Sequence, residues 1–192
     1  MSNRIVAVFP GRFQLPHEGH IETYKHLKKI YDKVFIYTSD KVEKPDSPFT
    51  FYDKKVMLTW MGADISDIIK CTSPYNPKEL FEQGLINKDD ILLFIVSSKD
   101  VDRFPPHFPE KSYLQYASAE QFETCDKHAY IRFAGTVAHA ERCTYHSSTY
   151  YRNDFIQTKN KTRWIQNHFK IKNSEDYDSH VLHNILTKGL LM

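Results

Sequence analysis

The chain has 192 residues, 41% of them hydrophobic and 26% charged, which suits one globular domain and excludes a disordered chain. Lys and Arg number 26 against 24 Asp and Glu, so no global field exists to grip nucleic acid or an anionic membrane, although local anion sites stay open. Three scattered cysteines, Cys71, Cys125 and Cys143, do not read as a disulfide framework and fit a reducing cytosol. No apolar run approaches the ~20 residues of a membrane span. The N-terminus runs directly into a strand, without a signal-peptide pattern, so a cytoplasmic protein is expected. Aromatic residues reach 14%, which permits base stacking without requiring it.

Ile5 to Phe9 is a nearly continuous apolar run closed by Pro10-Gly11 and reads as a buried parallel strand. Ile21, Tyr24, Leu27, Ile30 and Tyr31 recur at helical spacing, so a helix starts between His17 and His20, and Val34 to Tyr37 completes a β-α-β unit. After a loop over Lys41 to Pro48, Thr50 or Asp53 opens a helix with apolar positions Val56, Met57, Trp60 and Met61. Ile68 to Cys71 suggests a third strand, and a brief helix runs through Leu80 and Phe81. Ile91 to Val96 is the clearest strand of the chain. Three prolines between Arg103 and Pro109 enforce a loop, Ala129 to Phe133 reads as a fifth strand, and Thr149 to Phe169 is helical but polar. Val181, Leu182, Ile185, Leu186 and Leu190 form a last amphipathic helix. This alternation predicts a three-layer, Rossmann-like, doubly wound α/β fold with a mainly parallel five-stranded sheet. One domain spans 1–192, with 153–192 a helical C-terminal extension. Ligands in such folds sit at the carboxyl ends of the strands, near a topological switch point.

The loop after the first strand, Gly11-Arg12-Phe13-Gln14-Leu15-Pro16-His17-Glu18-Gly19-His20, sets two imidazoles on one face of a helix start. The helix end offers N–H groups and partial positive charge, and Arg12 adds a cation. Gly19 lets a nucleotide approach the backbone closely. That combination suits a reacting phosphate. Far along the chain, the hydroxyls of Ser147-Ser148-Thr149 suit a second helix cap, and Arg152 one turn in supplies a charge-assisted clamp.

Gly-Arg-Phe-Gln-x-Pro-His-x-Gly-His resembles the signature of the H-x-G-H nucleotidyltransferase superfamily, and its Gly11-to-Gln14 opening is most similar to the nicotinamide-mononucleotide adenylyltransferases. His146 to Arg152 resembles the superfamily's Ile-Ser-Ser-Thr-x-x-Arg motif, which opens a helix over the triphosphate. Ser47 to Lys55 resembles the family's Asn-Pro-Phe-(Ser/Thr)-x-x-(Glu)-Arg segment, with Ser and Lys replacing Asn and Arg. Ser97 to Phe104 stands where the family carries a Gly-x-Asp ribose element, here with serine for glycine. These segments, with Asp126 to Ile131, look most like bacteriophage-borne members. The resemblance implies direct nucleotidyl transfer, in which an acceptor phosphate oxygen attacks the α-phosphorus of a triphosphate and Mg-pyrophosphate leaves. It implies His17 and His20 on the phosphates at the transition state with Arg12 beside them, and Ser148, Thr149 and Arg152 on the β/γ phosphates. Gly11, Phe13, Gln14, Gly19 and Ser147 complete the nucleotide site, and Asp100 takes the ribose.

The expected reaction joins ATP, with Mg2+, to nicotinamide mononucleotide. A cytidylyltransferase, or another adenylyltransferase of a phosphorylated small molecule, is the alternative, and a non-catalytic nucleotide-binding module is the second. Family members are often homo-oligomers. Cys125-x-x-His128 and Cys143-x-x-His146, with His139 between, have zinc-ligand spacing, but His146 abuts the Ser-Ser-Thr motif, so no metal site is assigned. Lys54, Lys55, Lys99 and Arg103 read as solvated charge, Trp60 as core, and the C-terminal Lys159, Lys161, Arg163, Lys170 and Lys172 as a solvated face rather than a nucleic-acid site.

Overall fold

The computed structural model describes residues 3–117, 122–134, 147–171 and 177–192. In chain order the elements are β1 (Ile5–Pro10), α1 (Glu18–Ile30), β2 (Lys33–Ser39), α2 (Phe51–Trp60), β3 (Ile68–Cys71), α3 (Lys78–Glu82), β4 (Ile91–Ser97), β5 (Leu114–Tyr116), β6 (Ala129–Ala134), α4 (Ser148–Gln157), α5 (Lys161–Phe169) and α6 (Tyr177–Leu190). Short 3-10 turns occupy Ile65–Asp67 and Ser98–Arg103.

The strands form one six-stranded sheet in the order β3-β2-β1-β4-β6-β5, and every neighbouring pair is parallel. Strand side chains alternate between faces. Val6, Val8, Phe35, Tyr37, Phe94 and Val96 therefore enter one core with Leu80 of α3, while Ala7, Val34, Ile36, Leu93 and Ile95 enter the other with Ile21, Tyr24 and Leu27 of α1. Both sheet faces are covered, which is why the strands read as unbroken apolar runs.

The sheet has six strands rather than the expected five. The extra strand, β5, is three residues at the edge, half-buried and paired only with β6. So short a segment shows no periodicity of its own, and its partner defines it. Trp60 is 37% exposed rather than core, because α2 turns Met57 and Leu58 inward instead. Ile30, at the end of α1, is exposed as well.

The polar helical stretch after Thr149 resolves into two helices. Asn160 caps α5 by accepting from Arg163 N at 2.9 Å. Lys161 is not a solvated charge. Its Nζ donates to the carbonyls of Phe155 at 2.6 Å, Ile156 at 2.9 Å and Thr158 at 2.5 Å, closing the C-terminal end of α4.

A third apolar cluster joins Leu15, Phe49 and Met57 to Phe155, Ile165, Phe169, Leu182 and Leu186. It seats the three C-terminal helices on the loop after β1. Gly189 permits the closest approach, since a Cβ there would stand 2.5 Å from Phe49 Cε1, and the Phe49 ring is fully buried. Gly189→Ala is therefore expected to cost about 1–3 kcal/mol, measured as a lower urea midpoint at unchanged slope.

Candidate active site

In this strand order the chain direction switches between β1 and β4, so the crevice lies at their carboxyl ends. β1 and β4 run in register, with Ala7 beside Leu93 and Val8 beside Phe94. The loop after β1 and the 3-10 turn after β4 consequently emerge side by side.

His17 is the N-cap of α1, in extended conformation, and His20 lies in the first turn. Their imidazoles stack at 3.7 Å with planes 28° apart. His17 N donates to His20 Nδ1 at 3.2 Å. His20 also packs edge-on against Phe13 at 4.9 Å. Burial, and then the neighbouring His17, hold His20 well below the usual imidazole range. A neutral His20 whose Nδ1 accepts carries its proton on Nε2.

The first residues of the loop support this pair. Phe13 is buried and adopts a left-handed φ of 49°, a conformation that costs a residue with a Cβ about 1–2 kcal/mol. Its ring lies against Phe9 and His20. Gly11 leaves the space for that ring, because a Cβ would lie 2.7 Å from Phe13 Cε2. Gln14 is buried and bonds the backbone of Phe49 twice, Nε2 to O at 2.9 Å and N to Oε1 at 2.8 Å. Phe13 and Gln14 thus shape the loop from beneath. Gly19 is buried in the first turn of α1, and its carbonyl accepts from Thr23 Oγ1 at 2.8 Å.

The second motif folds onto the first. Ser147 caps α4 by accepting from Tyr150 N at 3.2 Å. Ser148 Oγ donates to Leu15 O at 2.7 Å. Arg152 is 8% exposed. Its Nη1 donates to Gln14 O, and its Nη2 donates to Thr149 Oγ1 at 3.3 Å and lies 3.9 Å from Asp46. Burial lowers the Arg152 pKa most, Asp46 opposes that shift, and the charge of Arg12 adds to it. Two guanidinium groups therefore sit close enough to repel one another, with Arg12 exposed. Asp100, in the turn after β4, accepts from Arg103 Nη1 at 3.1 Å.

Three residues of this region have roles that the sequence pattern does not assign, although Lys54 and Tyr151 lie within the stretches that resemble family motifs. Lys54, expected to be solvated, is fully buried. Its Nζ donates to Thr38 Oγ1 at 3.0 Å and to Ser39 O, and Thr38 Oγ1 in turn reaches Arg12 O at 3.5 Å. Burial lowers the Lys54 pKa to about 8, against the pull of Asp40. Tyr151 stacks on His17 at 5.6 Å. His168, from α5, bonds Pro16 O at 2.9 Å. No single motif joins these positions, so only the fold reveals them.

The zinc-spaced residues are differently engaged. Cys125 is buried with its thiol 3.0 Å from Asn87 O, and burial, then Asp90, push its pKa up to about 11. His128 Nδ1 lies 3.0 Å from Ser112 O, and Nε2 lies 3.2 Å from Glu123. His139, Cys143 and His146 lie outside the described residues.

A parallel doubly wound sheet with imidazoles, guanidinium groups and two helix N-termini at its switch point defines a nucleotide-handling α/β protein. Residues 8–154 match the cytidylyltransferase-like family. The chain belongs to this family of pyrophosphate-releasing nucleotidyltransferases. It has no match among curated proteins. Among solved structures, it is similar to a bifunctional NMN adenylyltransferase/ADP ribose pyrophosphatase from Francisella tularensis complexed with AMP and an Mn ion, with TM-score 0.51 and 15% identity over 93% of this chain. The chain spans about half, 52%, of that protein. A putative nicotinate-nucleotide adenylyltransferase from Vibrio parahaemolyticus has TM-score 0.49 and 15% identity over 94% of this chain and 99% of its own. At such identities the likeness is one of fold.

Two predictions follow from the geometry beneath the loop. Gly11→Ala is expected to displace the Phe13 ring from behind His20 and slow pyrophosphate release by about tenfold or more, measured against an unchanged circular-dichroism spectrum. Lys54 binds its proton more weakly folded than unfolded. The burial cost of its ammonium is therefore fully present below about 8 and is relieved as the pH rises toward the ordinary 10.5. Unfolding free energies of the wild type and Lys54→Met, compared at pH 7 and pH 10, are expected to move in favour of the wild type by about 2 kcal/mol; parallel curves would contradict the buried ammonium.

Proposed function

We propose that the chain transfers AMP from MgATP to the phosphate of nicotinamide mononucleotide, giving NAD and pyrophosphate. The stacked His17–His20 pair at the N-terminus of α1 carries this assignment, with the first turn of α4 bonded onto the same loop. The choice of acceptor is supported by the similarity of Gly11 to Gln14 to the nicotinamide-mononucleotide adenylyltransferases, and the fold likeness to the Francisella structure agrees with it.

An acceptor phosphate oxygen attacks the α-phosphorus in line, a new P–O bond forms, and the bond to the β-phosphate breaks with pyrophosphate as leaving group. The Mg2+ travels with the triphosphate as part of the substrate. His17 and neutral His20 donate ring N–H groups to the α-phosphate oxygens, and Arg12 adds charge from the exposed side. The Thr149 hydroxyl and the backbone N–H groups of Ser148 and Thr149, which have no intrahelical acceptor, receive the β/γ phosphates, while the Ser148 hydroxyl holds Leu15 O. Arg152 adds its field from beneath the loop. Asp100 takes the ribose hydroxyls. Preorganised donors of this kind supply the rate without a covalent nucleophile.

Pyrophosphate release tests the assignment, crossing ATP and CTP against nicotinamide mononucleotide, its acid form, FMN, phosphopantetheine and glycerol 3-phosphate. ATP with nicotinamide mononucleotide is expected to give release, which His17→Ala/His20→Ala lowers by about 10²-fold or more. Release only with another pair, CTP included, keeps the chemistry and replaces the substrates. Silence across the panel from a folded protein that still binds nucleotide would support a binding module.

A further inference from the structure

Helices α5 and α6 carry none of the family motifs, yet one α5 side chain reaches the loop that carries His17. His168 Nε2 lies 2.9 Å from Pro16 O. Pro16 O and His17 N–H belong to one planar peptide unit, so holding one end fixes the other. The other end is the N–H that donates to His20 Nδ1 at 3.2 Å. His168 therefore sits two hydrogen bonds from His20, through a rigid group.

The neighbours of His168 fix its ring. Trp164 stacks on it at 4.5 Å with planes 13° apart, and Trp164 Nε1 is anchored on Asp154 Oδ2 at 2.6 Å. Tyr151 meets the ring edge-on at 4.8 Å and stacks on His17 from its other side. Phe169 adds a further edge contact at 4.9 Å. Burial favours neutral imidazole here, lowering the His168 pKa to about 4, so the contact with Pro16 O is that of an Nε2–H donor with a carbonyl acceptor. The next residue but one repeats the tether, since Lys170 pairs with Glu18 of α1.

We propose that His168 is a positioning residue for nucleotidyl transfer: by holding the Pro16 carbonyl it aims the His17 N–H at His20 Nδ1, and so presents His20 to the phosphate as its Nε2–H tautomer. This role rests on the assignment of nucleotidyl transfer to the same site. It makes α5 a working part of the active site rather than an appendage. Both ring nitrogens of His20 are then assigned, Nδ1 to the protein and Nε2 to the substrate.

Three variants and two readouts separate the possibilities. His168→Gln keeps an amide donor near the position of Nε2. His168→Phe keeps the stacked ring and removes the donor. His168→Ala removes both. Pyrophosphate release with the best substrate pair of the wild type reports kcat and KM, and 15N imidazole spectra of the intact protein report the His20 tautomer without any turnover. His168→Phe is expected to lose roughly tenfold to hundredfold in kcat, with KM for the triphosphate within about threefold and His20 in mixed tautomers. His168→Gln is expected to recover most of kcat and the Nε2–H form.

Full kcat and an unchanged His20 spectrum in folded His168→Phe would overturn the proposal, as would equal loss in the Gln and Phe variants. A wild-type His20 found as the Nδ1–H tautomer overturns it even where every variant fails to fold. Absence of turnover in the wild type would instead refute the assigned reaction and leave the tautomer measurement as the test of His168.

Discussion

Three consecutive carbonyls, those of Gln14, Leu15 and Pro16, lie between the end of β1 and the first turn of α1, where no ladder or helix supplies a donor. Arg152, Ser148 and His168 bond them in turn. Each such bond is worth about 0.5–1.5 kcal/mol net, and leaving a buried carbonyl unmet costs about 1–3 kcal/mol. The requirement explains why α4 and α5 fold back onto the loop after β1. Leu15, between two of these carbonyls, is fully buried in the same apolar cluster as Phe155, Ile165 and Phe169. Apolar burial brings the helices down and the carbonyls fix where they stop. The loop that carries His17 is thereby held from the far end of the chain.

Burial disfavours the charged form of three groups around the loop, with Asp46 and Asp40 partly offsetting it at Arg152 and Lys54. The Arg152 guanidinium is disfavoured by burial and by Arg12, the Lys54 ammonium by burial, and the imidazolium of His20 by burial and His17. A neutral imidazole at His20 suits this arrangement, since it keeps one N–H donor while adding no charge beside the guanidinium groups. The aromatic file from Phe13 through His20, His17, Tyr151 and His168 to Trp164 keeps those rings packed face or edge to one another.

Much of the fold is legible in local pattern. Fully buried parallel strands announce themselves as apolar runs, and β1, β2, β3, β4 and β6 all do. Thr50, with Asp53 completing the reciprocal cap, marks the start of α2. Pattern fails where an element is defined by its partner. β5 is a strand because β6 lies beside it. Lys54 stands for an arginine in the Ser47-to-Lys55 segment and still reads as solvated charge until α2 turns it toward Thr38 and Ser39, and Trp60 looks like core until the same rotation leaves it outside. Lys161 is one basic residue among several, and its role follows from where α4 ends.

For the site, the ordered motifs around His17, His20 and Ser147 to Arg152 identify the family and its phosphate chemistry, because helix caps and imidazole pairs are built from residues adjacent in sequence. Gln14 and Phe13 belong to the same motif, yet their side chains serve Phe49 and His20. Arg152 likewise turns under the loop to Gln14 O. Those assignments depend on which backbone groups the packed helices leave unsatisfied. The amino-acid sequence by itself determined the main strand and helix types, the two motif-bearing loops and the family. Only the tertiary structure decided the sheet edge, the buried Lys54 and the clamp of His168 on Pro16, because each is a contact between residues far apart in sequence, whose partner the burial of apolar surface selects.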